Sequence, residues 1–145
     1  MWTPRDRWIS TRCSRPLFAT LSTTADGAAR GSPVWFLWEE SALWVITNTA
    51  HDTFAARIAR EPRCAVSVID FDPATGRVHH VGMRGRATVV AFDRDRALRK
   101  IERYLGTDRT RWPADRFTLR APTLALVRFD PETIVLRDQS YALQG

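Results

Sequence analysis

A chain of 145 residues with 44% hydrophobic and 26% charged positions has the make-up of an ordinary globular protein, which excludes collagen-like and disordered classes. Its longest apolar runs, residues 33–38 and 42–46, fall far short of the roughly 20 residues that a membrane-spanning helix needs, and the arginine-bearing start lacks the apolar stretch of a secretory signal, so a cytoplasmic protein without a membrane partner is expected. The net charge of +6 rests on arginine, with Lys100 the single lysine, but the arginines alternate with acids, as in Asp93-Arg94-Asp95-Arg96, which argues against nucleic acid and suits a smaller anionic ligand.

Residues 17–22 read as a strand, Ala25-Asp26-Gly27 supplies turn chemistry, and residues 32–38 form the returning strand of a hairpin. Glu39, Glu40 and Ser41 make a polar break before residues 43–47, rich in β-branched and aromatic side chains, which extend the hairpin into a three-stranded meander. From 52 to 60 the period turns helical: Phe54 and Ile58 fall four apart, Asp52 is the expected N-cap, and Pro62 ends the element. Residues 63–70 are a strand and 72–76 a turn, and 77–92 form an extended stretch long enough to need a bend, with Gly82 and Gly85 as its bulge positions. Asp93 caps a second helix with an apolar stripe of Ala97, Leu98, Ile101 and Leu105, ended by Gly106. A polar connection, residues 107–121, precedes two closing strands, 123–129 and 133–137, around an Asp130-Pro131 turn.

About seven strands with two clear helices and no sustained βαβ alternation predict a mainly antiparallel sheet, closed or partly closed into a barrel. Cys13 and Cys64 are too few for a disulfide scaffold and are expected as buried free thiols. His79 and His80 are adjacent on a strand, so their side chains point to opposite faces, and no metal site is expected. Glu39 and Glu40 read as solvated acids of a hairpin turn. No phosphate loop or nucleophile elbow is present, so an enzyme built on this chain needs a cofactor for the difficult chemistry.

The blocks Leu17-Phe18-Ala19-Thr20-Leu21-Ser22-Thr23, Asp26-Gly27, Gly31-Ser32-Pro33-Val34-Trp35-Phe36 and Thr47-Asn48-Thr49 resemble, in order and spacing, the flavin-binding split-barrel family of pyridoxamine 5′-phosphate oxidase. The likeness continues through Ala59-Arg60-Glu61-Pro62-Arg63, Met83-Arg84-Gly85-Arg86-Ala87, the second helix and Trp112-Pro113, so that residues 1–145 form one flavin-binding domain. It implies an α+β, mainly β fold, a Greek-key split barrel of six to seven mostly antiparallel strands with two to three helices, which pairs as a homodimer with flavin in the grooves between subunits. It further implies an FMN-dependent oxidoreductase passing a hydride through flavin N5 to or from a small molecule. The alternatives are a deazaflavin-dependent reductase, or a module that binds flavin or haem without turnover.

By that resemblance Ser32, Pro33, Val34 and Trp35 flank the flavin ring together with Thr47, Asn48 and Thr49, while the start of the first helix faces the phosphate with its free N–H groups and positive dipole end. Family members usually carry a Lys, and often an Arg, in that first turn, where this chain has Phe54 and Ala56. The compensating groups are the hydroxyls of Thr49 and Thr53, His51 if protonated, Arg57 one turn along, and Arg84 and Arg86 on the long strand. Trp112 is expected at the rim of the partner's site.

Overall fold

The computed structural model describes residues 3–113, 117 and 119–145. In chain order the elements are α1 (Pro4–Cys13), β1 (Phe18–Ala25), β2 (Ala28–Trp35), β3 (Leu37–Glu39), β4 (Ala42–Asn48), α2 (Thr53–Arg60), β5 (Arg63–Asp72), β6 (Arg77–Ala91), α3 (Arg94–Leu105), a 3-10 turn (Arg109–Arg111) and β7 (Leu124–Asp138). The seven strands form one sheet, ordered β2-β1-β5-β6-β7-β4-β3, and every pairing is antiparallel. The two edge strands, β2 and β3, are separated in the chain by Phe36 alone, so the sheet must roll until its edges approach without a shared ladder. That is a split barrel, and β4 lying beside β7 rather than β5 is its Greek-key return.

The expected strand over 32–38 and the three-stranded meander are therefore corrected. The run breaks at Phe36, where α3 supplies replacement partners: the Phe36 N–H donates to the Tyr104 hydroxyl at 3.0 Å, and its carbonyl accepts from Arg103 at 2.9 Å. With its ladder bonds replaced by side-chain bonds, the chain crosses from one sheet edge to the other with no backbone group of Phe36 left bare. Glu40 and Ser41 both have positive φ, 57° and 56°, and close the β3–β4 hairpin as Asp26 and Gly27, at 50° and 80°, close β1–β2.

At the far end, the expected Asp130-Pro131 turn is instead a bulge inside one continuous strand, β7. Arg84 faces Thr133 and Gly85 faces Pro131, leaving Glu132 as the extra residue. A proline fits there because the ladder is already interrupted. Gly85 is required: a Cβ on it would stand 2.1 Å from the Asp130 carbonyl oxygen. Gly82 pairs in unbroken register with Val135 and is not a bend.

Inside the barrel, Leu21, Phe36, Leu43, Val66, Val68, Val81, Val127 and Phe129 form the main core, plugged by Phe54 and Ile58 of α2 and by Ile9 and Cys13 of α1. A smaller cluster of Leu37, Ala42, Trp44 and Leu126 lies on another part of the sheet. Helix α1 was not anticipated, although Thr3-Pro4-Arg5-Asp6 is a capping box with proline at the first helical position: Asp6 N–H donates to Thr3 Oγ1 at 3.1 Å, and Thr3 N–H donates to the Asp6 carboxylate at 2.9 Å. Both cysteines are free and buried, and burial pushes the Cys13 thiol up to about 12 and Cys64 up to about 11, so neither is a ready nucleophile. Among the described residues no helix is long and apolar enough to cross a membrane.

Candidate functional site

Helix α2 follows β4 after a tight turn in which Asp52 behaves unusually. It stands at the N-cap, but its side chain caps nothing in the helix; its carboxylate accepts from the Asn48 N–H at 2.7 Å and from the Thr47 hydroxyl at 3.2 Å. The first-turn N–H groups of α2 are thereby left without a side-chain acceptor, and the expected capping role of Asp52 is corrected to that of a brace on the turn. The same turn consumes other polar groups: the Thr49 hydroxyl donates to the Thr123 carbonyl, and the Asn48 side-chain oxygen accepts from Ala50 N–H and the Thr123 hydroxyl.

A cation stands at this helix start nevertheless. Arg57 folds back along α2, its Nε donating to the Thr23 hydroxyl at 2.7 Å and one terminal nitrogen to the Thr53 hydroxyl at 2.8 Å. Thr23 is almost fully buried on β1, so it fixes the guanidinium from below. Phe54 takes no part in ligand contact here, since it is buried in the core.

Thr23 also borders the first of two adjoining grooves on the outward face of β1, β5, β6 and β7, of about 550 and 340 Å³. They share Ser22, Ala65, Arg84 and Thr133, which form one cross-strand row. The next row, Thr20, Ser67, Gly82 and Val135, continues the floor. These small side chains let a flat molecule approach the backbone closely. Arg84 is exposed above them and has no partner among the described residues, whereas Arg86 pairs with Glu132 at 3.4 Å. In the second groove His80 Nε2 lies 2.9 Å from the Ser67 hydroxyl.

The remaining residues expected at the site are distributed as follows. Pro33 is exposed and Ser32 half-buried on β2, while Val34 and Thr47 are buried. Thr49, His51 and Thr53 are exposed around the start of α2. Trp35 is half-buried and stacks on Tyr104 with centroids 4.3 Å apart and planes at 3°, with Phe117 also parallel to it at 5.8 Å. Trp112 has local partners: its indole N–H donates to the Gly106 carbonyl at 3.0 Å, and Arg109 lies over its ring. Residues 114–116 and 118 of the polar connection lie outside the described residues.

The structure thus brings Arg57 and Thr53 together, with Asn48 in the turn before them and Arg84 in the groove that Thr23 borders, while Arg86 and Trp112 line neither groove. Sequence reasoning missed Thr23, which anchors the cation, and the small outward residues Ser22, Ala65 and Ser67. A signal for the latter existed, because a run of small residues at alternate strand positions marks a face awaiting cover. Glu39 is no solvated acid either: Arg96 and Arg99 both donate to it, and these bonds hold its carboxyl below the usual carboxylate range, tying β3 to α3.

No curated protein sequence matches the chain. Among solved structures it is similar to a conserved hypothetical protein of Mycobacterium tuberculosis (20% identity, TM-score 0.75, covering 100% of this chain and 94% of the other). An F420 reductase is similar at 26% identity and TM-score 0.64, covering 87% and 94%. A FAD-binding protein of Mesorhizobium loti is similar at 14% identity and TM-score 0.67, covering 92% and 94%. A family model described as pyridoxamine 5′-phosphate oxidase matches residues 9–138, and with the split barrel in place the chain belongs to the pyridoxamine 5′-phosphate oxidase family.

Proposed function

We propose that the chain is an FMN-dependent oxidoreductase acting on a small molecule as a homodimer, with the flavin phosphate at the start of α2 and the ring against the outward face of the sheet. The observation that carries this reading is Arg57, held by Thr23 and Thr53 over a helix start whose N-cap carboxylate is turned away. A guanidinium, a hydroxyl and free helix N–H groups are the donors a phosphate requires, and they stand where the family's lysine is absent. Bound there, flavin would supply hydride transfer at its N5. The chain's own part is to bind the phosphate through Arg57 and Thr53, to orient the ring over Ser22, Ala65 and Gly82, and to exclude water by covering the groove with a second copy. His80, hydrogen-bonded with Ser67, presents its imidazole to that groove.

A second reading has its own support. The F420 reductase among the similar structures, together with Arg84 standing in the groove without a partner among the described residues, favours the deazaflavin coenzyme, whose more acidic tail would engage that arginine. Titrating the purified protein with FMN and with the deazaflavin coenzyme, followed by absorbance and fluorescence, separates the two.

Arg57→Gln should weaken FMN binding by about 1.5–3 kcal/mol, roughly 10- to 150-fold, the range for a hydrogen bond to a charged group. Unchanged FMN affinity in that variant would place the phosphate elsewhere. Binding of either cofactor with no turnover against a panel of nicotinamide and small-molecule donors would leave the chain a binding module.

A further inference from the structure

Lys100 lies on α3 and is buried, 7% exposed, yet its amine makes no hydrogen bond or ion pair among the described residues. Among the described residues, the one side-chain nitrogen or oxygen that is both sealed from open space and without a hydrogen bond is Arg77 Nε, which lies 3.3 Å from Asp70. The Lys100 amine, equally unbonded, therefore keeps contact with open space, and the space its side chain lines is a cavity of about 540 Å³ under α3. Its size is that of a small-molecule pocket.

The walls define the occupant. Ile46, Ile101, Phe117, Leu119 and Leu124 are apolar, and the charged groups are Lys100, Arg120 and Asp52. The Asp52 carboxylate accepts from the Asn48 N–H and the Thr47 hydroxyl and makes no ion pair with Lys100 among the described residues, so the lining carries two cations against one anion. A buried ammonium with three donors, in a mixed lining where Lys100, Arg120 and Asp52 leave one net positive charge beside the apolar side chains, is complemented by a single negative charge on a body with an apolar face. We infer that the cavity is a binding site for a small monocarboxylate whose carboxylate pairs with Lys100 and whose hydrocarbon portion packs against Phe117 and the aliphatic wall. Burial lowers the Lys100 amine to about 8, with Arg103 pushing the same way, so a fraction of it is neutral and reactive near pH 8.

Because Lys100 is the only lysine, acetic anhydride labelling of the purified protein, quantified by mass spectrometry on the Lys100 peptide, reads this one side chain. Saturating 3-phenylpropionate should slow acetylation at pH 8 about tenfold, by occupancy and by raising the amine's pKa. 3-Phenylpropanol, which lacks the charge, and inorganic phosphate, which lacks the apolar body, should not protect. Lys100→Met should abolish 3-phenylpropionate binding by calorimetry without lowering the melting temperature. No protection by the carboxylate overturns the proposal, and so does equal protection by phosphate. Protection by FMN and not by 3-phenylpropionate would also overturn it, by assigning the cavity to the cofactor. The labelling arm stands even if the methionine variant fails to fold.

Discussion

Phe54 and Arg57 lie within one turn of α2 and have opposite fates. Phe54 goes inward with Ile58, as their spacing in the sequence requires, and Arg57 stays at the rim because Thr23 and Thr53 accept its hydrogen bonds. Restoring the family's lysine by Phe54→Lys therefore places a charge in the core. It should cost about 2–4 kcal/mol, read as a fall in melting temperature, with no gain in FMN affinity. Lys100 makes a second prediction at this scale. Its folded pKa of about 8 lies below the ordinary lysine value of 10.5, so between those values the unfolded chain binds more protons and this group's contribution makes stability rise with pH. The buried thiol of Cys13 is raised by burial and acts in the opposite direction, so the slope must be isolated by difference. Denaturant midpoints of the parent chain and Lys100→Met between pH 7.5 and 10 should converge as pH rises, the variant being the more stable at the low end. The Phe54 side of the helix was legible from period alone, whereas the anchor of Arg57 was not, because Thr23 is 34 residues away and only the folded sheet brings it near.

Elements were legible where local chemistry decides them and illegible where a distant partner does. The β1–β2 turn and α3 between Asp93 and Gly106 carry their own start and stop signals, α2 carries its stop at Pro62, and all three form where expected, although Asp52 does not cap α2 with its side chain. The break at Phe36 carries none, since it depends on Arg103 and Tyr104 of α3 taking over the hydrogen bonds of one residue. The bulge in β7 is an intermediate case: Pro131 signals an interruption, but whether the chain turns or continues is settled by Gly85 on the neighbouring strand. Without a side chain there, β7 passes close enough to keep its register on both sides. Gly85→Ala forces a Cβ to 2.1 Å from Asp130 O and 2.9 Å from Pro131 Cα, and neither atom belongs to a flexible side chain. The variant should lose about 2–4 kcal/mol of stability by overpacking against backbone, measured by chemical denaturation. Ala87, also buried on β6 but with its own methyl already accommodated, should tolerate Ala87→Gly with a smaller loss of about 1 kcal/mol.

At the scale of the whole molecule, the antiparallel barrel was legible from alternation, and the total of seven strands agrees because one expected strand splits at Phe36 while two merge into β7; the strand order was not legible, because pairing between β1 and β5 or β4 and β7 joins segments far apart in sequence. The order matters for function because it puts Phe18, Ile69, Phe71 and Val135, all exposed and apolar, on the outward side of β1, β5 and β7, beside the small-residue grooves. Exposed apolar residues clustered on one sheet face beside grooves call for cover, and a second copy meeting this face about a two-fold axis would bury both copies' patches at once and roof both grooves. Light scattering at micromolar concentration should then give twice the 16.6 kDa chain mass. Ile69→Glu lies on this face, outside the barrel interior, so it should leave the melting of an isolated chain nearly unchanged while shifting the population toward monomer. If the groove is completed by the partner, the monomeric variant should bind FMN at least tenfold more weakly, although Arg57 and α2 are untouched. A monomer that binds FMN as tightly as the parent would show that one chain holds the whole site, and the dimer would then have no part in cofactor binding.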